Sequence, residues 1–279
     1  MRRIVFLVVF SPLLSLGQDS AARTANFPRQ VVQVREFPPK ERVWVFIMAG
    51  QSNMAGRGLV EPGDTVSHPR ILTINKENKL IEAKEPLHFY QPKLTGLDCG
   101  MSFARNLIDK IDSNTVILLL PTAVGGSSIK YWLNDSAFNG VRLKSNFMEK
   151  ADLAKKYGIL KGILWHQGES DATAGKIPLY EQNLQELFSF FRGYAGDQSL
   201  PVIMGELGSY TVKEEMRQNW SSINEIIRKV SVLNKFNALV ETGDLKPRED
   251  NIHFDSPSQR ILGQRYAETY IKSFLPKNY

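Results

Sequence analysis

Four short polar clusters each follow an apolar run of strand length, and that repeated junction constrains the fold more than any other feature of the chain. GQSN, beginning at Gly50, follows VWVFIMA (43–49). PTAVGGSS follows TVILLL (115–120). HQGESD follows GILKGILW (158–165), and GDLKPREDNIH follows NALVET (237–242). A fifth run, PVIMGE (201–206), lies between the last two. These runs are rich in Val, Ile and Leu, the pattern of strands buried on both faces. Helix-period segments lie between them. MSFARNLIDKI places Met101, Phe103, Leu107, Ile108 and Ile111 near one face. PLYEQNLQELFSFFRGY opens with Pro178 and stacks Tyr180, Leu184, Leu187, Phe188 and Phe191. SPSQRILGQRYAETYIKSF begins as a capping box on Ser256 and Gln259, with Pro257 at the first helical position. Strands alternating with helices predict a parallel sheet covered on both faces. The carboxyl ends of such strands share one edge, where ligands bind. The four clusters are therefore expected to converge on one crevice. ILTINKENKLIEA (71–83) reads as a β-hairpin inserted after the first strand.

The N-terminus departs from this pattern. MRRIVFLVVFSPLLSLGQ has two arginines, an apolar run from Ile4, then small residues near Ser15 and Gly17. That layout predicts a secretory signal peptide over 1–17 and a periplasmic or secreted product. Ser11 and Pro12 break the run, which is short for a membrane span, so no membrane association is expected after cleavage. Residues 18–42, polar and containing Pro28, Pro38 and Pro39, read as an arm or linker ahead of one domain over 43–279. Cys99 is the only cysteine, which leaves no internal disulfide, and a chain of 279 residues can bury a core without one. The net charge of +6 is not gathered into a Lys/Arg stripe, which argues against nucleic acid as a partner. The oligomeric state is not legible.

The clusters carry the chemistry. Ser52 at a strand end could be a turn residue or helix cap, and its surroundings are not the GxSxG elbow. His253 alone would be an ordinary loop histidine. It lies three residues after Asp250, however, and a carboxylate at that spacing can turn back onto Nδ1 and leave Nε2 as a base. Ser52, His253 and Asp250 together make a nucleophile, a base and an orienting group. The glycine pair Gly125 and Gly126 makes a tight turn that can also bring a backbone N–H close to an oxyanion. Gln167 can donate its amide to the same oxyanion, and Glu169 can orient a histidine or hold its loop. His166 and Glu169 have H-x-x-E spacing, a weak metal signal without a third ligand, so neither metal nor organic cofactor is expected.

AGQSNMAGRG, PTAVGGSSIKYW, ILWHQGESDA and DNIHFDSPSQRILGQRYA, in this order, resemble the SGNH hydrolases. More narrowly, they resemble the sialate O-acetylesterase-like branch, which includes the acetylxylan esterases of carbohydrate esterase family six. The resemblance runs from about Val43 to Phe274. It implies a flavodoxin-like three-layer α/β/α sandwich with a central parallel sheet of about five strands. It implies hydrolysis of O-acetyl groups on a carbohydrate through an acyl-serine. Ser52 corresponds to the nucleophile and His253 to the base, with Asp250 or Glu169 as the histidine's acid partner. The oxyanion donors would be the Ser52 N–H, a glycine N–H at Gly125 or Gly126, and the Gln167 side chain, where the wider family has asparagine. Tyr131 and Trp132, with Gln51, Asn53 and His166 inside the motif blocks, are the candidates for contact with substrate. A carbohydrate-binding relative without catalysis, and an esterase for a non-carbohydrate acyl group, are the competing readings.

Overall fold

The computed structural model describes residues 21–276; the expected signal peptide lies outside them. The five apolar runs form strands β1 (Val43–Gly50), β4 (Val116–Pro121), β7 (Ile159–His166), β8 (Val202–Gly205) and β9 (Asn237–Val240). The hairpin supplies β2 (Ile71–Ile74) and β3 (Leu80–Glu82). All seven join one sheet, in the order β3-β2-β4-β1-β7-β8-β9. Only the β2–β3 pair is antiparallel; every other neighbour is parallel. The hairpin is thus no separate insertion. Its first strand extends the parallel sheet along β4, and the sheet is two strands wider than the sequence implied. The remaining five strands have the flavodoxin-like order, and their switch point flanks β1.

All eight residues of β1 are buried, and alternation divides them between two cores. Val43, Val45, Ile47 and Ala49 face one side, packed with Phe147, Leu184, Phe191 and Ile227. Those residues belong to α4 (Leu143–Tyr157), α5 (Ile177–Ala195) and α6 (Glu214–Leu233). Trp44, Phe46 and Met48 face the other side, against α2 (Gly100–Ile108) and α7 (Ser256–Phe274). This is the expected three-layer arrangement; α4 and α6 add to the three helices expected from the sequence. The minor elements are α1 (Ser52–Ala55), α3 (Ile129–Asn134) and a two-stranded ribbon, β5 (Ala137–Phe138) with β6 (Val141–Arg142).

One cap shifts. Asp255, not Ser256, caps α7: its Oδ1 accepts from the Ser258 N–H at 2.8 Å, and Pro257 sits within the first turn. Gln259 is drawn away from a capping box because its Nε2 donates to the Asn53 carbonyl at 3.0 Å. That bond ties α7 to the loop after β1.

Candidate active site

Gly50 ends β1 at φ +139°, and a Cβ there would lie 2.0 Å from the His166 carbonyl oxygen. Only glycine accepts both the angle and the approach. The chain then turns into α1, whose first residue is Ser52. Ser52 is 6% exposed and lines a broad cavity of about 1160 Å³ at the carboxyl edge of the sheet. His253, Asp250, Glu169, Gly125 and Gly126 line the same cavity. The loops after β1, β4, β7 and β9 therefore meet, as the strand-end pattern required.

Asp250 orders the histidine loop. Its Oδ1 accepts from the backbone N–H groups of Ile252 and His253 at 2.8 and 2.9 Å. Its Oδ2 lies 2.8 Å from His253 Nδ1. Burial works against the Asp250 charge, but these hydrogen bonds hold its carboxyl below the usual range. With Asp250 ionised, Nδ1 carries the ring proton and Nε2 is left with its lone pair. Burial pushes the His253 pKa below 6.5, against the opposing pull of Asp250. No hydrogen bond joins Ser52 Oγ to Nε2 in this structure; such contacts often tighten only around substrate.

Glu169 makes no hydrogen bond to the His253 imidazole. Its Oε1 accepts from Asn53 Nδ2 at 2.7 Å, and burial raises its pKa to about 7. Asn53 is itself fully buried. Besides Glu169, Asn53 accepts the Phe254 N–H at 3.0 Å and donates to the Ile252 carbonyl at 3.3 Å. It joins the serine, glutamate and histidine loops and has no face toward the cavity, which removes it from the substrate contacts expected from the sequence. Gln51 lines the cavity, yet its Oε1 accepts from Gln167 Nε2 at 3.1 Å and from the Ser170 N–H at 3.2 Å.

Three further expectations need correction. Gln167 is fully buried, and its amide nitrogen is engaged by Asp171 Oδ2 at 2.6 Å, the Ser127 carbonyl at 3.1 Å and Gln51. An amide has two N–H donors, so none is left for an oxyanion in this arrangement. His166 is buried against Phe254 and Gly205, and desolvation lowers its pKa to about 4; it braces the sheet edge and does not line the cavity. Trp132 is fully buried beside Trp165, donating to Ser127 Oγ at 3.3 Å, and Tyr131 packs on Phe138, the rings tilted at 41°. Trp132 faces the helical core because α3 begins directly after the glycine turn. Among the described residues, no three His, Cys, Asp or Glu side chains converge as metal ligands.

The glycine pair divides its roles through residues the sequence did not single out. Gln91, in the loop before α2, accepts the Gly125 N–H at 2.9 Å and donates to the Gly125 carbonyl at 3.2 Å. Arg57 Nη2 donates to Gln91 Oε1 at 2.6 Å. A Cβ on Gly125 would collide with this guanidinium at 1.9 Å. Gly125 is therefore spent on the scaffold. Gly126, at φ +83°, has no acceptor for its N–H among the described residues and lines the cavity. The Ser52 N–H opens α1 and is likewise without an intrahelical partner. Two backbone donors, the Ser52 and Gly126 N–H groups, thus belong to residues that line the one cavity. Arg57 is buried, and desolvation with the nearby Arg248 and Arg23 lowers its pKa to about 10. It remains a cation at neutral pH. Arg57 lies within a quoted motif, but only the fold discloses its contact with Gly125. Gln91 lies outside every motif and left no signal.

The family model for carbohydrate esterase, sialic acid-specific acetylesterase, matches residues 42–272. The protein named "Probable carbohydrate esterase At4g34215" from Arabidopsis thaliana is 27% identical over 259 residues, spanning 85% of this chain and 92% of the relative. The crystal structure of the Arabidopsis protein AT4G34215 superposes with a TM-score of 0.73 at 27% identity, covering 85% of this chain and all of the other. The structure of NanS superposes at 0.67 with 18% identity, covering 85% of this chain and 98% of that one. XAC1771 from Xanthomonas citri, described as a carbohydrate acetylesterase, superposes at 0.61 with 17% identity, covering 83% of this chain and 56% of that one. The last two likenesses concern the fold.

Proposed function

The chain belongs to the carbohydrate esterase, sialic acid-specific acetylesterase family, and from that premise we propose a secreted serine esterase that removes O-acetyl groups from a glycan through an acyl-serine. The observation that carries the mechanism is the His253–Asp250 pair facing the same cavity as Ser52 and two unengaged N–H groups. Ser52 Oγ attacks the acetyl carbonyl carbon while His253 Nε2 takes its proton. The Ser52 and Gly126 N–H groups receive the oxyanion that forms. On collapse, the C–O bond to the sugar breaks, and the departing oxygen takes the proton from Nε2. Water, deprotonated by the same nitrogen, then attacks the acetyl-serine, and Oγ leaves with that proton. Acetate and the free sugar hydroxyl are the products. Every step uses side chains and backbone of this chain.

Two outcomes are expected. The base must be neutral, and its pKa is lowered by burial, so the acid limb of kcat/KM for 4-nitrophenyl acetate should have its midpoint below pH 6.5. An acid limb centred above pH 6.5 would remove His253 from the role of base. Expression with the native leader in a secreting host should yield a mature chain beginning at Gln18, read by N-terminal mass spectrometry. Retention of Arg2 and Arg3 in the exported protein would overturn the cleaved-signal reading.

A further inference from the structure

The described part of the N-terminal arm, ahead of residue 42, lies outside the stretch that the family model matches, yet it reaches the active site. Its later part is stitched to the sheet edge. The Val34 N–H donates to the Leu80 carbonyl at 3.2 Å, and the Glu82 N–H to the Val32 carbonyl at 3.0 Å. Upstream, Asn26 Nδ2 donates to the Val60 carbonyl at 2.9 Å. Beyond that point Arg23 is buried and lines the same cavity as Ser52.

The Arg23 guanidinium grips a turn. It donates to the carbonyls of Thr95 at 2.5 Å and Pro92 at 3.4 Å. The N–H groups of Leu94 and Thr95 both return to the Gln91 carbonyl, at 2.8 and 2.9 Å. Arg23 thus holds one end of a compact turn whose other end is Gln91. The Gln91 side chain holds the Gly125 carbonyl, and that carbonyl shares a planar peptide with the Gly126 N–H. In a trans peptide the two point in opposite directions. Whatever fixes the Gly125 carbonyl therefore aims the Gly126 N–H.

We infer that the arm is a positioning element of the catalytic site, acting through Arg23, the 91–95 turn and Gln91 on the peptide that carries the Gly126 N–H. The inference rests on the reading of that N–H as an oxyanion donor. Arg23 is a positioning residue here, and its effect should appear in kcat for every acetyl ester, since all share the oxyanion.

The test is a double-mutant cycle of Arg23→Ala and Gln91→Ala on 4-nitrophenyl acetate, with kcat normalised to titrated active sites. Losing an oxyanion donor outright costs about 100- to 1000-fold, so a misaimed one should cost less. We expect Arg23→Ala to lower kcat about 10-fold and Gln91→Ala about 30-fold, with KM within about two-fold, because the donor acts on the transition state. The double variant should sit near Gln91→Ala alone, since coupled residues are not additive. Arg23→Lys, which keeps a donor for the turn, should recover part of the loss. A double variant lowered by the product of the single effects would overturn the inference. So would an Arg23→Ala effect confined to KM, or an unchanged kcat. Amide deuterium uptake over 122–128 reads the same coupling without catalysis. Faster uptake in Arg23→Ala supports it, and unchanged uptake overturns it. Should the wild type release no acetate from any ester, the functional reading fails while this exchange measurement still decides the coupling.

Discussion

Ser52→Ala should lower kcat for acetyl-ester hydrolysis by about ten thousand- to a million-fold, the range seen when a serine nucleophile that works with its base as a unit is removed. The physical reason is the loss of the covalent path. Without Oγ, His253 can only activate water, and the N–H of residue 52 and of Gly126 can only hold a carbonyl that nothing attacks efficiently. Folding should be little affected. Ser52 caps no helix with its side chain, and alanine fits the first turn of a four-residue helix at least as well. Its backbone N–H, the proposed donor, survives the change. The thermal midpoint should therefore stay close to the wild-type value, and EDTA should change neither protein's rate. Release measured on 4-nitrophenyl acetate and on acetylated xylan should fall together. A variant that kept a tenth of the wild-type rate would overturn the acyl-serine and turn attention to water activated by the Asp250–His253 pair alone.

The convergence of the four clusters was legible because each strand of a parallel sheet delivers its next loop to the same edge. That argument needs only periodicity and order along the chain, and it placed Ser52, Gly126, Glu169, Asp250 and His253 around one cavity. What it could not see was competition among polar groups once they had met. Gln167 has the right chemistry for an oxyanion donor, but Asp171, four residues on, Ser127 and Gln51 engage its amide. Asn53 sits beside the nucleophile in sequence and points the other way, into the joint between three loops. Trp132 followed the glycine turn closely enough to suggest a sugar platform, yet the helical turn places it in the core. The hairpin's place in the sheet was hidden for a similar reason: the sequence shows the turn between β2 and β3 but not the partner that β2 finds in β4. Gln91 and Arg23 were illegible altogether. Each acts through side-chain hydrogen bonds that span tens of residues, and neither belongs to a periodic or motif-bearing segment.

The acid partner of His253 is the point at which two carboxylates competed in the sequence, and substitution should separate them. Asp250→Asn should lower kcat/KM by about 1000- to 10,000-fold near neutral pH, as when the carboxylate of a comparable triad becomes an amide. The amide can no longer favour the tautomer that leaves Nε2 basic, and it cannot stabilise the imidazolium formed during attack. The loop should survive, because the Asn side-chain oxygen can still accept the N–H groups of Ile252 and His253 that Oδ1 now holds. Glu169→Gln should cost far less, since Glu169 bonds to Asn53 and not to the imidazole. Its signature should lie in stability. Burial raises the Glu169 pKa from 4.5 to about 7, so the folded state favours the neutral carboxyl. That contribution is fully present below pH 4.5 and is lost as pH rises through about 7, where the unfolded chain has already released the proton. Glutamine is neutral throughout, so the denaturation midpoint of Glu169→Gln should gain on the wild type between pH 5 and pH 8. A variant of Glu169 that lost activity as deeply as Asp250→Asn, with its fold intact, would move the role of orienting group to Glu169. It would also require the His253 ring to turn away from Asp250 when substrate binds.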